Sequence, residues 1–494
     1  PMQEIVNVVG GWVWSNWLIG LCLGAGLLFS FLTRFLQVRH FRHMIQLLRS
    51  GKESDRGISS FQALAVSLSG RVGTGNIAGV AAAIGFGGPG AVFWMWVVAF
   101  FGAATAYVEA ALGQIYKEVD EGQLRGGPAF YIEKAMNQRW YGCAFAITTI
   151  FATGLLLPMV QANAISTSAE IAFGANGSID TFLGTISHTK LIAAIVVVTI
   201  FGFIIFGGVK RIAHVTQVIV PFMALAYIVL AIGIILMNLS ALPGIIGMII
   251  SDAFTPMAGV GAAIGWGVKR GVYSNEAGQG TGPHAAAAAE VEHPAQQGLV
   301  QAFSVYVDTL FVCTATAFMI LITGAYNIRP EGATAFIVQN MPATTDPSSS
   351  AFTQHALESM FPGFGNIFVA CALFFFAFTT VLAYYYIAET NVAYLRRFFT
   401  FPAEMVVLKL LMIGAVFYGA VRTASLAWGL GDIGVGLMAW LNIVAILILF
   451  FMGKPALKAL ADYERQKKEG VECYTFDPDA LGIKNADFWK NNNT

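Results

Sequence analysis

Eleven apolar runs punctuate the chain, near residues 17–36, 61–86, 91–116, 142–172, 190–207, 214–238, 256–290 (interrupted), 298–324, 363–394, 404–421 and 428–452. Each approaches or exceeds the roughly 20 helical residues that a bilayer demands. Inside hydrocarbon every backbone amide and carbonyl needs a partner within the protein, which restricts a chain like this to a helical bundle. The 494 residues are 56% apolar and 11% charged, and the runs leave no stretch long enough for a separate soluble domain. An all-α integral membrane protein of about 11 transmembrane helices is expected. Its parts are an extra N-terminal helix with a basic loop (1–60), a helical core (61–453) and a charged, turn-rich tail (454–494).

Lysines and arginines set the orientation. Arg34, Arg39, Arg42, Arg49, Lys52 and Arg56 crowd the first loop, and Lys210, Arg211, Arg396, Arg397, Lys454 and Lys458 fall on the same side if the spans alternate. That side is expected to be cytoplasmic, with the N-terminus outside and the C-terminus inside. The N-terminus lacks the order of a cleavable signal peptide, so its first run is expected to be a retained helix. A stretch at 35–48, "FLQVRHFRHMIQLL", is short and amphipathic and is read as a helix lying on the cytoplasmic surface, with a plain basic linker as the alternative. Net charge is zero, which argues against a nucleic-acid partner. The cysteines Cys22, Cys143, Cys313, Cys371 and Cys473 show neither CxxC nor metal-ligand spacing.

Two of the runs are built to break. "GRVGTGN" (70–76) puts three glycines and an arginine into one span, and "AGVGAAIGWGVKRGVYSNEAGQGTGPHAAAAAE" (258–290) repeats the device with eight glycines and a proline. Unwound backbone survives at membrane depth only where it is buried in protein or lines a wet cavity, and there its amides and carbonyls become ligand groups. With the 17–36 helix set aside, the two runs open successive groups of five spans. Paired interrupted helices at matching places in two halves are the sequence mark of an inverted-repeat transporter with its site at mid-membrane. Close packing through small residues is the plainer explanation for either run alone. Gly73-Thr74-Gly75-Asn76-Ile77-Ala78 matches a loose dinucleotide fingerprint but lacks the strand–turn–helix context and the following acid. No GK[ST], HExxH or GxSxG occurs, and an enzyme is not expected.

The motifs "SLSGRVGTGNIAGVAAAIGFGGPGAVFWMW", "MVQAN", "KRGVYSNEAGQGTGPHAAAAA", "FAFTTVLAYYY" and "FDPDALGIKNADFW" resemble the sodium:alanine/glycine symporter family, from about residue 60 to the C-terminus. The resemblance implies a LeuT-type 5+5 inverted-repeat core with two discontinuous helices. It also implies Na⁺-coupled symport of small neutral amino acids, alanine and glycine first, across a bacterial inner membrane by alternating access; Tyr384, where many relatives have tryptophan, extends the expectation to serine or glutamine. A monomer in the bilayer is the expected form. A cation channel, or another cation-coupled solute transporter, is the alternative.

Carried over residue by residue, the resemblance puts Thr74, Gly75 and Asn76 at the first break, touching the amino acid or its ion. Free amides at a half-helix N-terminus suit a carboxylate, and unwound carbonyls such as that of Val72, with the Asn76 side-chain oxygen, suit Na⁺. Gln161 lies deep in an apolar helix and is read as a substrate contact, and Asn163 as a structural amide. Family members often carry glycine and asparagine where this chain has Leu157 and Pro158. The second break falls either at 259–267 or at 274–282. The first is preferred, with Gly265 and Trp266 on the substrate, because it keeps Lys269 and Arg270 away from the bilayer centre. Thr379 and Thr380 face the first break in a LeuT-like arrangement and are expected to supply hydroxyl ligands to Na⁺, against back-bonding to their own helix as the plain alternative. Thr380 and Tyr384 are also assigned to the substrate pocket, Tyr384 standing where many relatives have tryptophan. Arg71 is expected to pair with Glu109, and Glu389 to sit in a satisfied pair.

Overall fold

A computed structural model describes residues 1–49 and 55–491 and is mostly helical. Lys52 of the basic loop lies outside the described residues. In chain order the principal helices are α1 (Met2–Val13), α2 (Asn16–Leu32), α3 (Ser60–Arg71), α4 (Ala78–Gly87) and α5 (Gly90–Ile115). Next come α6 (Arg139–Phe173), α7 (His188–Ile205), α8 (Gly208–Met237), α9 (Leu242–Phe254), α10 (Val260–Asn275) and α11 (Gly282–Ala288). The last five are α12 (Pro294–Thr323), α13 (Gly365–Arg396), α14 (Glu404–Val421), α15 (Ala424–Phe451) and α16 (Pro455–Glu469). Helices α5 to α8 and α12 to α15 are each long and apolar enough to cross a bilayer, and α1 with α2 qualifies as a pair bent by 42°.

The two remaining apolar runs are interrupted. α4 and α10 pack on each other, and so do α3 and α11, so the two broken segments run antiparallel through the centre of the bundle. The entry to α3 is fixed by a reciprocal cap: Gln62 N–H donates to Ser59 Oγ at 3.1 Å and Ser59 N–H to Gln62 Oε1 at 3.0 Å. Ile58 N–H donates to Ala288 O at 2.9 Å and Glu290 N–H to Ile58 O at 2.8 Å, tying the start of α3 to the end of α11 by backbone.

Two long helices carry a wide turn. In α6 it spans Ala152–Leu156, directly before Pro158, whose ring cannot donate a helical bond and clashes with the carbonyl four residues back; the extra residue relieves both. In α12 it spans Tyr306–Cys313 and turns Asp308 and Thr309 inward.

The 35–48 stretch forms two short helices, Leu36–Arg39 and Phe41–Leu47: Leu36, Met44 and Leu47 are covered by protein and Phe41 meets Phe303 and Tyr306, while Val38, Phe41 and Ile45 keep exposed surface. The tail packs closely as well. Trp489 Nε1 donates to Gln114 O at 2.8 Å, and the Lys117 ammonium lies 4.7 Å from the Phe488 ring and 5.2 Å from that of Trp489.

Candidate functional site: the two helix breaks

α3 stops at Arg71, Val72 is extended (φ −78°, ψ 96°), a single 3-10 turn covers Thr74–Asn76, and α4 starts at Ala78. The glycines here are needed for proximity. A Cβ on Gly73 would stand 2.5 Å from Thr380 Oγ1 and 2.9 Å from Gln161 Oε1, and one on Gly75 would stand 2.9 Å from Tyr273 Cδ1. Gly75 thus lets α10 approach.

The freed backbone groups are taken up by three other helices. Thr74 donates its amide and its hydroxyl to Gln161 Oε1, at 3.0 and 2.8 Å, and Gln161 Nε2 donates to the Tyr273 hydroxyl at 3.3 Å. Thr380 Oγ1 lies 2.5 Å from Ser69 O, 3.1 Å from Val72 O and 2.8 Å from Phe376 O. One hydroxyl has one proton to give, so this is a cluster of oxygens richer in lone pairs than in hydrogens. Asn76 Oδ1 accepts the Gly73 amide at 2.9 Å, while Nδ2 donates to Asp308 O and Oδ1, both at 3.0 Å. Asp308 Oδ2 accepts from Thr309 Oγ1 at 2.7 Å. Asn76 O accepts from Thr316 at 2.5 Å. Thr74, Asn76, Gln161, Asp308 and Thr380 are all buried, so the cluster is sealed from both faces.

Thr379 stays apart. Its hydroxyl returns to Phe375 O (2.8 Å) and Phe376 O (3.1 Å) in its own helix, the back-bonding alternative, because a residue adjacent to Thr380 on a helix points about 100° away. The expected oxygen of Asn76 is likewise engaged with Gly73.

The second break corrects the preferred position. Gly259 to Gly267 lead into an uninterrupted α10, and the chain unwinds at 276–281, where Glu276 (φ +56°), Gly278 (+86°) and Gly280 (+93°) are left-handed. Lys269 and Arg270 need no unwinding to be tolerated. Asp432 of α15 meets Arg270 at 2.6 and 3.1 Å and Lys269 at 3.3 Å, and the guanidinium lies 4.3 Å from the Trp428 ring. Gly265 accordingly faces Ile19, and Trp266 stacks on Phe86 at 4.6 Å and lies 5.1 Å from Arg270; neither joins the cluster around Thr74.

The expected Arg71–Glu109 pair does not form. Arg71 donates to Asn275 O at 2.5 Å and Gln301 Oε1 at 3.1 Å, whereas Glu109 takes the Gly278 and Gly280 amides, each at 3.2 Å, and Asn442 Nδ2 at 2.8 Å. Glu109 closes the donors that the second break exposes. Glu389 pairs with Arg125 at 3.0 Å, and Asn163 caps the end of α14 through Gly419 O and Arg422 O. Tyr384 is buried with its hydroxyl facing both Gln161 and Glu276. Asp308 and Tyr273 were missed as site residues. Asp308, a lone acid in the apolar run "LVQAFSVYVDTLFV", was the available signal.

Antiparallel broken helices, their exposed backbone answered by polar groups of α6, α12 and α13, define a LeuT-type membrane transporter. The sequence profile of the sodium:alanine symporter family matches residues 1–477, and the chain belongs to that family. It is similar to a putative sodium/proton-dependent alanine carrier protein of Bacillus subtilis (strain 168), 56% identical over 99% of this chain and 98% of the relative. A sodium/proton-dependent alanine carrier protein of Bacillus sp. (strain PS3) is 50% identical over 91% and 97%, and a sodium/alanine symporter of Methanococcus maripaludis is 36% identical over 90% and 94%. The solved structure of MhsT in complex with L-phenylalanine superposes with a TM-score of 0.53 at 14% identity, covering 81% of this chain and all of that one, and supports the fold.

Proposed function

We propose that the chain couples Na⁺ entry to uptake of alanine and similarly small neutral amino acids by alternating access. The observation that carries the site assignment is Gln161 Oε1, which accepts two hydrogen bonds from Thr74 at the break. An amino-acid carboxylate arriving there finds the same two donors, at the N-terminal side of the outer half-helix where a negative charge is favoured. Sodium is read into the cluster of Ser69 O, Val72 O and Thr380 Oγ1: uncharged oxygens suit a monovalent ion that must be released again. Asp308 holds the Asn76 side chain, and Tyr384 with Tyr273 walls the pocket, the Tyr384 hydroxyl giving a polar handle that favours a breadth reaching serine and glutamine. Thr379 and the Trp266 segment have no direct part in this reading.

Nine apolar traverses plus two broken ones make eleven crossings. With the basic loops cytoplasmic, the N-terminus lies outside and the C-terminus inside a bacterial inner membrane, in a monomeric transporter. The curated relatives are named as carriers and symporters, which leaves the channel alternative without a supporting observation. Radiolabelled alanine uptake into proteoliposomes, with and without an inward sodium gradient, tests the reading. Concentrative uptake that collapses when the gradient is dissipated is expected, and equilibration without accumulation would overturn it.

A further inference from the structure

A cavity of about 10 Å³ lies beside the second break, lined by Ser67 and Gly70 of α3, Glu276 and Thr281 of the break, and Ala383 and Tyr386 of α13. Room of this order accommodates one water or one small ion. It is distinct from the Thr380 cluster, which faces the first break. Two of the lining side chains carry an oxygen with no hydrogen-bond partner, Ser67 Oγ and Glu276 Oε1, although the residues are 5% and 2% exposed. The other carboxylate oxygen, Glu276 Oε2, accepts from Thr281 Oγ1 at 2.5 Å.

Among the described residues no cation lies within ion-pair distance of Glu276, and the Arg71 guanidinium acts on it only from further away. The charged and titratable groups facing it are Arg71 from α3, Tyr273 from α10, Asp308 from α12 and Tyr384 from α13, with Tyr386 on the cavity wall. Arg71 donates through Nε to Asn275 O and through Nη1 to Gln301, and its Nη2, beside Gly282 of the cavity wall, is without a hydrogen-bond partner. Tyr384 approaches the carboxylate without closing a regular hydrogen bond to Oε1. Asp308 differs in having both oxygens bonded, to Asn76 and Thr309. An unpaired carboxylate inside a membrane protein is costly and marks an ion pathway unless a cation completes it.

We propose that this cavity is a second monovalent-cation site, in which Glu276 Oε1, Ser67 Oγ and Thr281 Oγ1 hold a sodium ion or a proton that is carried with the amino acid. The proposal rests on the symport reading above. It adds one positive charge per transport cycle to the charge carried at the Thr380 cluster.

The test measures the charge moved per alanine in proteoliposomes, from the membrane potential that halts net alanine flux at fixed gradients. Glu276→Gln keeps the shape and removes the charge, and is expected to move one fewer positive charge per alanine while still accumulating it. Ser67→Ala keeps the charge and removes one ligand. Its ratio is expected to stay that of the wild type, with the half-saturating cation concentration raised about two- to tenfold, the worth of one modest oxygen contact. Varying sodium at fixed pH, then pH at fixed sodium, identifies which cation supplies the missing charge. An unchanged ratio in Glu276→Gln overturns the proposal. If that variant does not transport, wild-type half-saturation for both cations in Ser67→Ala overturns it instead. Wild-type protein that fails to accumulate alanine on a sodium gradient overturns the symport reading itself, whereas intact accumulation with an unchanged ratio removes only the second site.

Discussion

Adding one methyl group at Gly73 tests whether the first break is a binding site or only a packing device. The φ of Gly73 is −149°, so no left-handed conformation stands in the way of alanine. The obstacle is what the methyl meets: Thr380 Oγ1 at 2.5 Å and Gln161 Oε1 at 2.9 Å, both closer than carbon and oxygen tolerate. Neither neighbour has free space to retreat into. Thr380 is held between Ser69 O, Val72 O and Phe376 O, and Gln161 between Thr74 and Tyr273. Relief must therefore open the oxygen cluster or withdraw the carboxamide.

Overpacking of this kind costs about 1–3 kcal/mol. If the cost falls on the bound state, it corresponds to about a 5- to 150-fold weakening. Because the two clashing atoms belong to the ion cluster and to the carboxylate position, Gly73→Ala should raise the half-saturating concentrations of both sodium and alanine. Gly85→Ala is the control. Its methyl meets Pro347 Cβ at 2.6 Å, an equal insult far from the cluster, and it should lower thermal stability with sodium dependence unchanged. Sodium and alanine titrations of uptake, with melting curves in detergent, separate the cases. Wild-type dependence on both solutes in Gly73→Ala would refute the site assignment.

Gln161→Leu should lose about 1–3 kcal/mol of alanine affinity in calorimetry while the protein remains folded, since it removes the carboxamide that, once displaced from Thr74, is free to hydrogen-bond the bound amino acid. Tyr384→Trp should move the competitor ranking toward glycine at the expense of larger amino acids, by about 1–3 kcal/mol; an identical ranking would take Tyr384 out of the pocket. Asp432→Asn should destabilise by about 3–5 kcal/mol, because Arg270 then remains buried beside a neutral group, and melting curves read the loss. The tail should loosen on acidification. Burial holds His40 and His293 below their ordinary value, while hydrogen bonds from His40 and Arg39 outweigh burial to lower Glu464, and one from His293 helps do the same for Asp462. Groups depressed in the folded state stabilise above their unfolded values, so docking stability is lost as pH falls from about 6.5 through the carboxylate range. Faster amide exchange in 455–491 at low pH, and not at pH 8, is the expected result.

The helical runs and the two interrupted segments were legible because length, hydropathy and clustered glycines are local properties. What the glycines do was not. Gly259, Gly261, Gly265 and Gly267 lie at the start of or within a regular helix, and Gly267 is required because a Cβ would strike Ala91 O and Trp94 Cβ at 2.6 Å. Gly278 and Gly280 are required for their left-handed backbone. Both demands write the same letter. The choice between them depended on Lys269 and Arg270, and the acid that neutralises them lies 162 residues away along the chain. Thr379 and Thr380 show the same limit: adjacent hydroxyls look alike in sequence, and only the position of Ser69 O and Val72 O decides which one matters.

The two faces of the pocket are closed by different chemistry. On the α4 and α10 side, a few side chains do it: Arg270 sits 4.3 Å from Trp428 and is held by Asp432, Trp428 packs on Tyr273 at 4.7 Å, and Tyr273 accepts from Gln161. A ligand that displaces Gln161 from Thr74 therefore perturbs the first contact in the outer closure. On the α3 and α11 side the closure is backbone, Ile58 to Ala288 and Glu290, reinforced by Lys117 donating to Ala289 O at 3.0 Å beneath Phe488 and Trp489. Opening on this side means parting backbone hydrogen bonds worth about 1 kcal/mol each together with the contacts of the tail. α3 and α11 are linked at that bridge and share the Glu276 cavity between them. Under the proposal of a cation there, separating them opens the cavity, so release of the ion and opening on this side are one event.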